Sequence, residues 1–324
     1  MFRTVARADR ASVTVLAGVV GLVATTLAVL GLPPAQAAGG GSPQGESQAS
    51  TNLRFVTYNA SAQVDPGPAL DDVRRILATH PDIVTLQEMA SGEKRRLIRE
   101  RFLDCPNCTW DGYLPGPPVP GETPILYRAD RFTLVDADSV QVTEATYVGS
   151  WGAGPSTIRA KYVNWVRLLD NRTGRMVNVL NNHTVPSVQG KTGEPNRRSP
   201  ARLKIYRKHL AGVQDLVRTF VAESQGLVFV TGDLNVNYRR DRVLTPTMFP
   251  YHRFGEVGLK ASYEPLGEPA IGTHVLRSGN DARLIDYVYF LPSAPLQPYD
   301  QQVLTGYHSD HRPLLVDFQV AGRP

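Results

Sequence analysis

The sequence predicts an α/β domain running from about Asn52 to Gly322. Three observations carry that expectation. Short apolar, β-branched runs recur with helical segments and loops between them. Many of these runs close on a polar residue, and such residues are scattered from position 59 to position 311. No internal repeat and no second linker interrupts the stretch, so if those residues converge on one site, they require one domain. A 42% hydrophobic share with 20% charged residues is ordinary for a chain that buries a sizeable core.

The first segment is not part of that domain. Arg3, Arg7 and Arg10 precede an uncharged run over 12–32, and Ala35-Gln36-Ala37 offers a small-residue cleavage site. This is the pattern of a secretory signal over 1–37. The run is also long enough for a retained N-terminal anchor, since about 20 apolar residues span a bilayer as a helix. Either way the domain is expected outside the cytoplasm, secreted or membrane-anchored. The Gly/Ser/Gln-rich stretch 38–51 reads as a flexible linker.

Within the domain, "LRFVTYNA" (53–60) alternates like a strand and ends at Asn59. "ALDDVRRILATHP" (69–81) has apolar residues at helical spacing and a proline stop. "DIVTLQEM" (82–89) reads as a strand ending in Glu88. "TPILYRADRFTLVDADSVQV" (123–142) reads as two strands joined at a turn. "KYVNWVRLLD" (161–170) and "RMVNVLNNHTV" (175–185) flank "NRTG", a hairpin-type turn. The strongest helical periodicity spans 200–224, followed by strands "GLVFVTGD" (226–233), "LIDYVYF" (284–290) and "RPLLVDFQV" (312–320).

Cysteine and charge bound the function classes. Cys105 and Cys108 stand as "CPNC" in what reads as a turn, and export favours a small local disulfide there. A redox pair would need a helix starting at Cys105, and two cysteines cannot build a structural zinc site of their own. The net charge is +5, of which Arg3, Arg7 and Arg10 against Asp9 account for two, leaving +3. That balance does not by itself imply nucleic acid. The excess sits in segments 93–101, 196–209 and 238–242. The first reads as a solvated helix face. The last follows Asp233 and Asn235 directly, so Arg239 and Arg240 are candidates to contact a substrate phosphate.

The polar residues that close apolar runs are Asn59, Glu88, His183, Asp233, Asn235, Asp286 and the pair Asp310-His311. Each alone has an ordinary explanation as a cap, a turn or a satisfied loop residue. Asp286 is the hardest to dismiss, because a carboxylate in an apolar strand needs a partner or a metal. "HSDHRP" places His308, Asp310 and His311 in one turn. Asp233 and Asn235, two apart on a strand, point to the same face.

The order "TYNA", "PDIVTLQE", "ILYRADRF", "VLNNHTV", "VTGDLNVN", "LIDYVY", "HSDHRPLLVDF" resembles the endonuclease/exonuclease/phosphatase superfamily, the deoxyribonuclease-I-like fold, over residues 53 to 320. The resemblance implies a four-layer α/β sandwich, two packed mixed β-sheets flanked by helices, with the catalytic domain over 52–322. It implies Glu88 as a divalent-cation ligand with Asn59 and Asp310 near it. Magnesium is the expected ion, with manganese able to replace it and calcium a candidate for a structural site. Asp233 would activate water with the help of Asn235, and His183 and His311 would donate to the phosphate. Asp286 and Asp310 would orient those histidines.

The expected activity is an exported, metal-dependent phosphodiesterase, a nuclease acting on DNA, as a monomer. The alternative is a sphingomyelinase-like or other phosphate-ester hydrolase. Its apolar contact with membrane would come from the loop around Trp151 (147–158). Otherwise membrane enters only through an uncleaved N-terminus. "GDLNVNYR" also resembles a segment of inositol-polyphosphate phosphatases, but "RLIDYVYF" lacks the tryptophan and cysteine of their second hallmark.

Overall fold

The computed structural model describes residues 50–322 except 117–120, 150–156, 225, 277–278 and 280–282. The expected leader, nearly all of the linker and the Trp151 loop tip therefore lie outside the described residues. Residues Ser47–Pro324 form one compact unit.

The elements in chain order are β1 (Ser50–Asn59), α1 (Pro66–Leu77), β2 (Ile83–Gln87), α2 (Gly92–Ile98), running into a π-helical turn over Arg99–Leu103, and β3 (Trp110–Tyr113). Then come β4 (Ile125–Arg128), β5 (Phe132–Thr143), β6 (Thr146–Tyr147), β7 (Thr157–Ile158), β8 (Lys161–Asp170), β9 (Arg175–His183) and α3 (Pro200–Ser224). The remainder is β10 (Leu227–Asp233), α4 (Tyr238–Leu244), α5 (Pro250–Gly255), β11 (Lys260–Ala261), α6 (Tyr263–Leu266), β12 (Asp286–Phe290), β13 (Leu296–Val303) and β14 (Leu314–Ala321).

Two six-stranded sheets form, in the orders β13-β14-β1-β2-β4-β3 and β11-β12-β10-β9-β8-β5. Both are mixed: β1 is parallel to β2 and antiparallel to β14, while β10 is parallel to β9 and antiparallel to β12. Strands buried on both faces read as continuous apolar runs, and every residue of β2, β10 and β12 is buried.

Between the sheets, Phe55 of β1 lies 4.3 Å from Phe229 of β10, which packs 5.2 Å from Phe318 of β14. Each such ring contributes roughly 1.5–3 kcal/mol through burial. The next residue of β1, Val56, faces the other way, into a cluster with Val73 and Ile76 of α1. On the second sheet's outer face, Leu210, Val213 and Val217 of α3 join the core, where Gly212 lets the helix ride against Val142. The result is helix, sheet, sheet, helix. No helix among the described residues is long and apolar enough to cross a membrane.

Two boundaries differ from expectation. The linker's last residues, Ser50 and Thr51, belong to β1, because they pair with Ala321 and Val320 of β14. The two strands expected over 123–142 are present and joined at a turn, and they serve different sheets: β4 pairs with β2 and β3, and β5 crosses to the second sheet to pair with β8. Asp286 opens β12 and is not interior to it.

Candidate active site

Strand register assembles the site. Asp233 stands opposite His183 on one side and opposite Asp286 on the other, so three neighbouring strand ends carry one polar row. Residues paired across neighbouring strands share a face. On the first sheet, Asn59 pairs with Gln87, and the chain then places Glu88 in the left-handed region, at φ 59°. Asn235 does the same after β10, at φ 54°. Non-glycine residues held this way cost about 1–3 kcal/mol and cluster at functional sites.

Asn59 joins the two sheets. Its amide nitrogen donates to Glu88 Oε1 at 3.1 Å and to Asp233 Oδ2 at 3.0 Å. Glu88 Oε2 accepts the backbone N–H of Ala62 at 2.5 Å. Asp233 Oδ1 accepts the N–H of Asn235 at 2.8 Å, and the Asn235 amide nitrogen donates to Thr184 O at 3.2 Å. One N–H of that amide remains for a further acceptor. Asp233 Oδ2 also lies 3.5 Å from His183 Nε2 and 3.8 Å from His311 Nε2.

Of the two acids expected to hold the histidines, Asp286 does so and Asp310 does not. His311 Nδ1 meets Asp286 Oδ2 at 2.9 Å, so Asp286 holds His311. His183 Nδ1 meets Glu122 Oε1 at 2.7 Å, and Lys161 Nζ reaches the same oxygen at 3.2 Å. Asp310 holds neither: its carboxylate is largely exposed and sits 3.7 Å from His274. Register is the reason, since Asp286 is already opposite Asp233 and beside His311, leaving His183 to a loop acid. His308 turns away entirely, to Asp72 of α1 at 2.8 Å, and has a structural role.

Burial opposes charge on His311, but Asp286 and Asp233 outweigh it and raise the imidazolium to about 9. Burial in turn pushes Asp286 up, against the opposing charge of His311. Burial and Lys161 push His183 down, while Glu122 and Asp233 outweigh them and raise it. Glu122 is held ionised well below the usual carboxylate range: burial opposes this, but Lys161 and His183 prevail.

Glu88 offers hard carboxylate oxygens fixed by two hydrogen bonds, a donor type that fits magnesium or manganese. Asp233, Asp286 and His311 also bring ligand atoms within 4.8 Å of one another. Within this trio His311 Nδ1 is committed to Asp286, and its Nε2 stands 3.8 Å from Asp233 Oδ2. Asp310 and Glu88 join no group of three such donors among the described residues. Lys94, expected on a solvated face, is buried and donates to Ser61 O at 2.7 Å beside Glu88.

Of the two expected phosphate contacts, Arg239 is turned to Glu268 and the backbone of Pro269, whereas Arg240 lines the cleft beside Asn235. Cys105 and Cys108 are bonded to each other, with Cα atoms 5.2 Å apart.

Glu122, Lys161 and His274 escaped the sequence reading. Glu122 lies one residue before the segment read as strand, in a turn without periodicity, and only its place between a proline-rich loop and β4 could have flagged it.

Fold and site together define a phosphoester hydrolase. The chain belongs to the Endonuclease/Exonuclease/phosphatase family, whose model matches residues 56–311. Members hydrolyse phosphodiesters or phosphate esters and are generally dependent on a divalent metal. Among solved structures, an endonuclease/exonuclease/phosphatase family protein from Bacteroides thetaiotaomicron superposes with a TM-score of 0.61 at 19% identity, covering 84% of this chain and 99% of that one. A humanized TDP2 from D. rerio gives 0.59 at 14% identity, covering 82% and 98%. A mannosyl-6-phosphatase from B. thetaiotaomicron gives 0.57 at 19% identity, covering 82% and 99%. At these identities the likeness is one of fold. No curated protein sequence matches the chain.

Proposed function

We propose that the protein is an exported, divalent-metal-dependent phosphodiesterase that cleaves DNA. The observation that carries this reading is Asp233, a buried carboxylate fixed by Asn59 and Asn235 and faced by the Nε2 atoms of two histidines. A water between Asp233 and the phosphate would lose its proton to Asp233 as it attacks phosphorus. His183 and His311, whose hold on a proton the neighbouring carboxylates strengthen against burial, would donate from Nε2 to the phosphate oxygens as negative charge builds there. An imidazolium would then return a proton to the leaving oxygen.

Glu88, steadied by Asn59, would hold the cation, which supplies Lewis-acid stabilisation of the phosphoryl oxygens when bound. Export is supported by the basic start, the apolar run and Ala35-Gln36-Ala37. A polyanionic substrate is supported by Arg240 and the other cations of the cleft beside Asn235. A related fold, D. rerio TDP2, is known complexed with a single-strand DNA product.

The test sets plasmid DNA beside sphingomyelin, each with magnesium and with chelator, using Asp233→Ala and His311→Ala proteins as controls. Magnesium-dependent nicking that both substitutions abolish is the expected result. Phosphocholine release with intact plasmid would replace DNA by lipid as the substrate.

A further inference from the structure

A cleft of about 640 Å³ opens beside the catalytic row, with Asn235 and His274 in its wall. His274 marks the join: its ring centre is 4.7 Å from that of His311, and its Nδ1 accepts from Arg283 Nη1 at 3.5 Å. The same wall carries Lys191, Arg240 and Arg283. Among the described residues no carboxylate forms an ion pair with any of these three, whereas Arg239 and Arg242 of the same α4 helix both pair with Glu268. Glu194, on the loop that carries Lys191, lies over Gly190 and accepts from Thr192 within its own loop.

Three cations gathered on one solvent-filled cleft repel one another until an anion enters. The wall is built to stay in place. Gln189 accepts the N–H of Asn237 at 2.8 Å, and Asn237 accepts that of Leu284 at 3.1 Å. Among the described residues no Phe, Tyr or Trp lines the cleft, so it offers no large aromatic platform for stacking a base. Its size exceeds what one phosphate fills and falls in the range of ordinary ligand pockets, roughly 300–1,000 Å³.

We propose that this cleft is a second anion subsite, in which Lys191, Arg240 and Arg283 hold a phosphate neighbouring the one being hydrolysed. The proposal rests on the phosphoester-hydrolase reading of the adjacent site and specifies its substrate: a molecule with at least two neighbouring phosphates. In a polynucleotide the second is the next backbone phosphate, and recognition through it is indifferent to base identity.

The test compares kcat/KM of the full chain with magnesium on the dinucleotide TpT and on pTpT and TpTp, which add a terminal phosphate at either side. One of the phosphorylated dinucleotides is expected to be cleaved about tenfold better than TpT, through KM, the worth of a charge-assisted contact. Arg283→Gln and the double substitution Lys191→Gln, Arg240→Gln should erase most of that advantage. Arg242→Gln, on the same helix but outside the cleft, should keep it. Equal rates on all three dinucleotides would overturn the subsite while leaving the phosphodiesterase reading intact.

Fructose 6-phosphate and fructose 1,6-bisphosphate form a parallel arm. A preference for the bisphosphate that depends on Arg283, without dinucleotide cleavage, would keep the subsite and remove the nuclease reading. Calorimetry with inorganic pyrophosphate on the Asp233→Asn protein gives a readout free of turnover. Binding should weaken about tenfold when Arg283→Gln is added, and unchanged binding would overturn the subsite whatever the substrate.

Discussion

The Glu122 carboxylate grips Nδ1 of His183 through Oε1 at 2.7 Å, and Lys161 donates to that same oxygen at 3.2 Å. Glu122 thus fixes the orientation of His183 and raises its affinity for a proton. Glu122→Gln removes the charge that offsets burial and Lys161, so His183 should lose its proton at lower pH. The alkaline limb of the kcat/KM profile is expected to move down in pH, with kcat falling about ten- to a hundredfold. A pH–rate profile checks this, and an unmoved limb would count against the pairing.

Asp233 accepts two hydrogen bonds that an asparagine oxygen could keep in part, but the amide cannot take a proton from water. Asp233→Asn should lower kcat by about 10²- to 10⁴-fold, with KM little changed. Steady-state kinetics beside far-UV circular dichroism separates lost chemistry from lost fold.

Chelation should stop turnover and added magnesium restore it. Glu88→Gln weakens the proposed cation ligand while keeping an acceptor for Ala62. The magnesium concentration for half-maximal rate should rise about tenfold or more, measured by metal titration of the initial rate.

Asp241 gives a pH dependence of stability apart from the site. Burial raises its carboxyl to about 7, opposed by the N–H of Tyr251, and its Oδ1 finds no hydrogen-bond partner. Since the folded form holds the proton more tightly than the unfolded chain, stability is highest below pH 4 as far as this group is concerned. It falls as pH rises towards 7. The displacement caps the effect at roughly 4 kcal/mol. Asp241→Asn should therefore raise Tm at pH 8 and have little effect at pH 4, read by thermal melts across that range.

Gly232 adopts φ 131°, and a Cβ there would lie 1.9 Å from the carbonyl oxygen of Asn182 on the paired strand. Gly232→Ala should cost more than about 3 kcal/mol, or yield no soluble protein, as shown by denaturant unfolding.

What the sequence discloses follows from how the strands are buried. With both faces of β2 and β10 covered, no charged side chain sits in the interior of either strand, so Glu88 and Asp233 stand out at their ends. Pairing is a different matter. Which acid serves which histidine depends on register and on a turn, so Asp286 and Asp310 were legible as residues while their partners were not, and Glu122 was missed. Arg239 and Arg240 are adjacent in sequence, yet helical geometry sends one to Glu268 and the other to the cleft.

Every residue named in the catalytic row precedes Leu314, yet β14 lies between β13 and β1 in the first sheet, and its Phe318 packs on Phe229. A nascent chain released or stalled before residue 314 would carry the whole catalytic inventory and still lack a central strand of the sheet that presents Asn59 and Glu88. Activity should thus appear only once β14 has docked between β1 and β13.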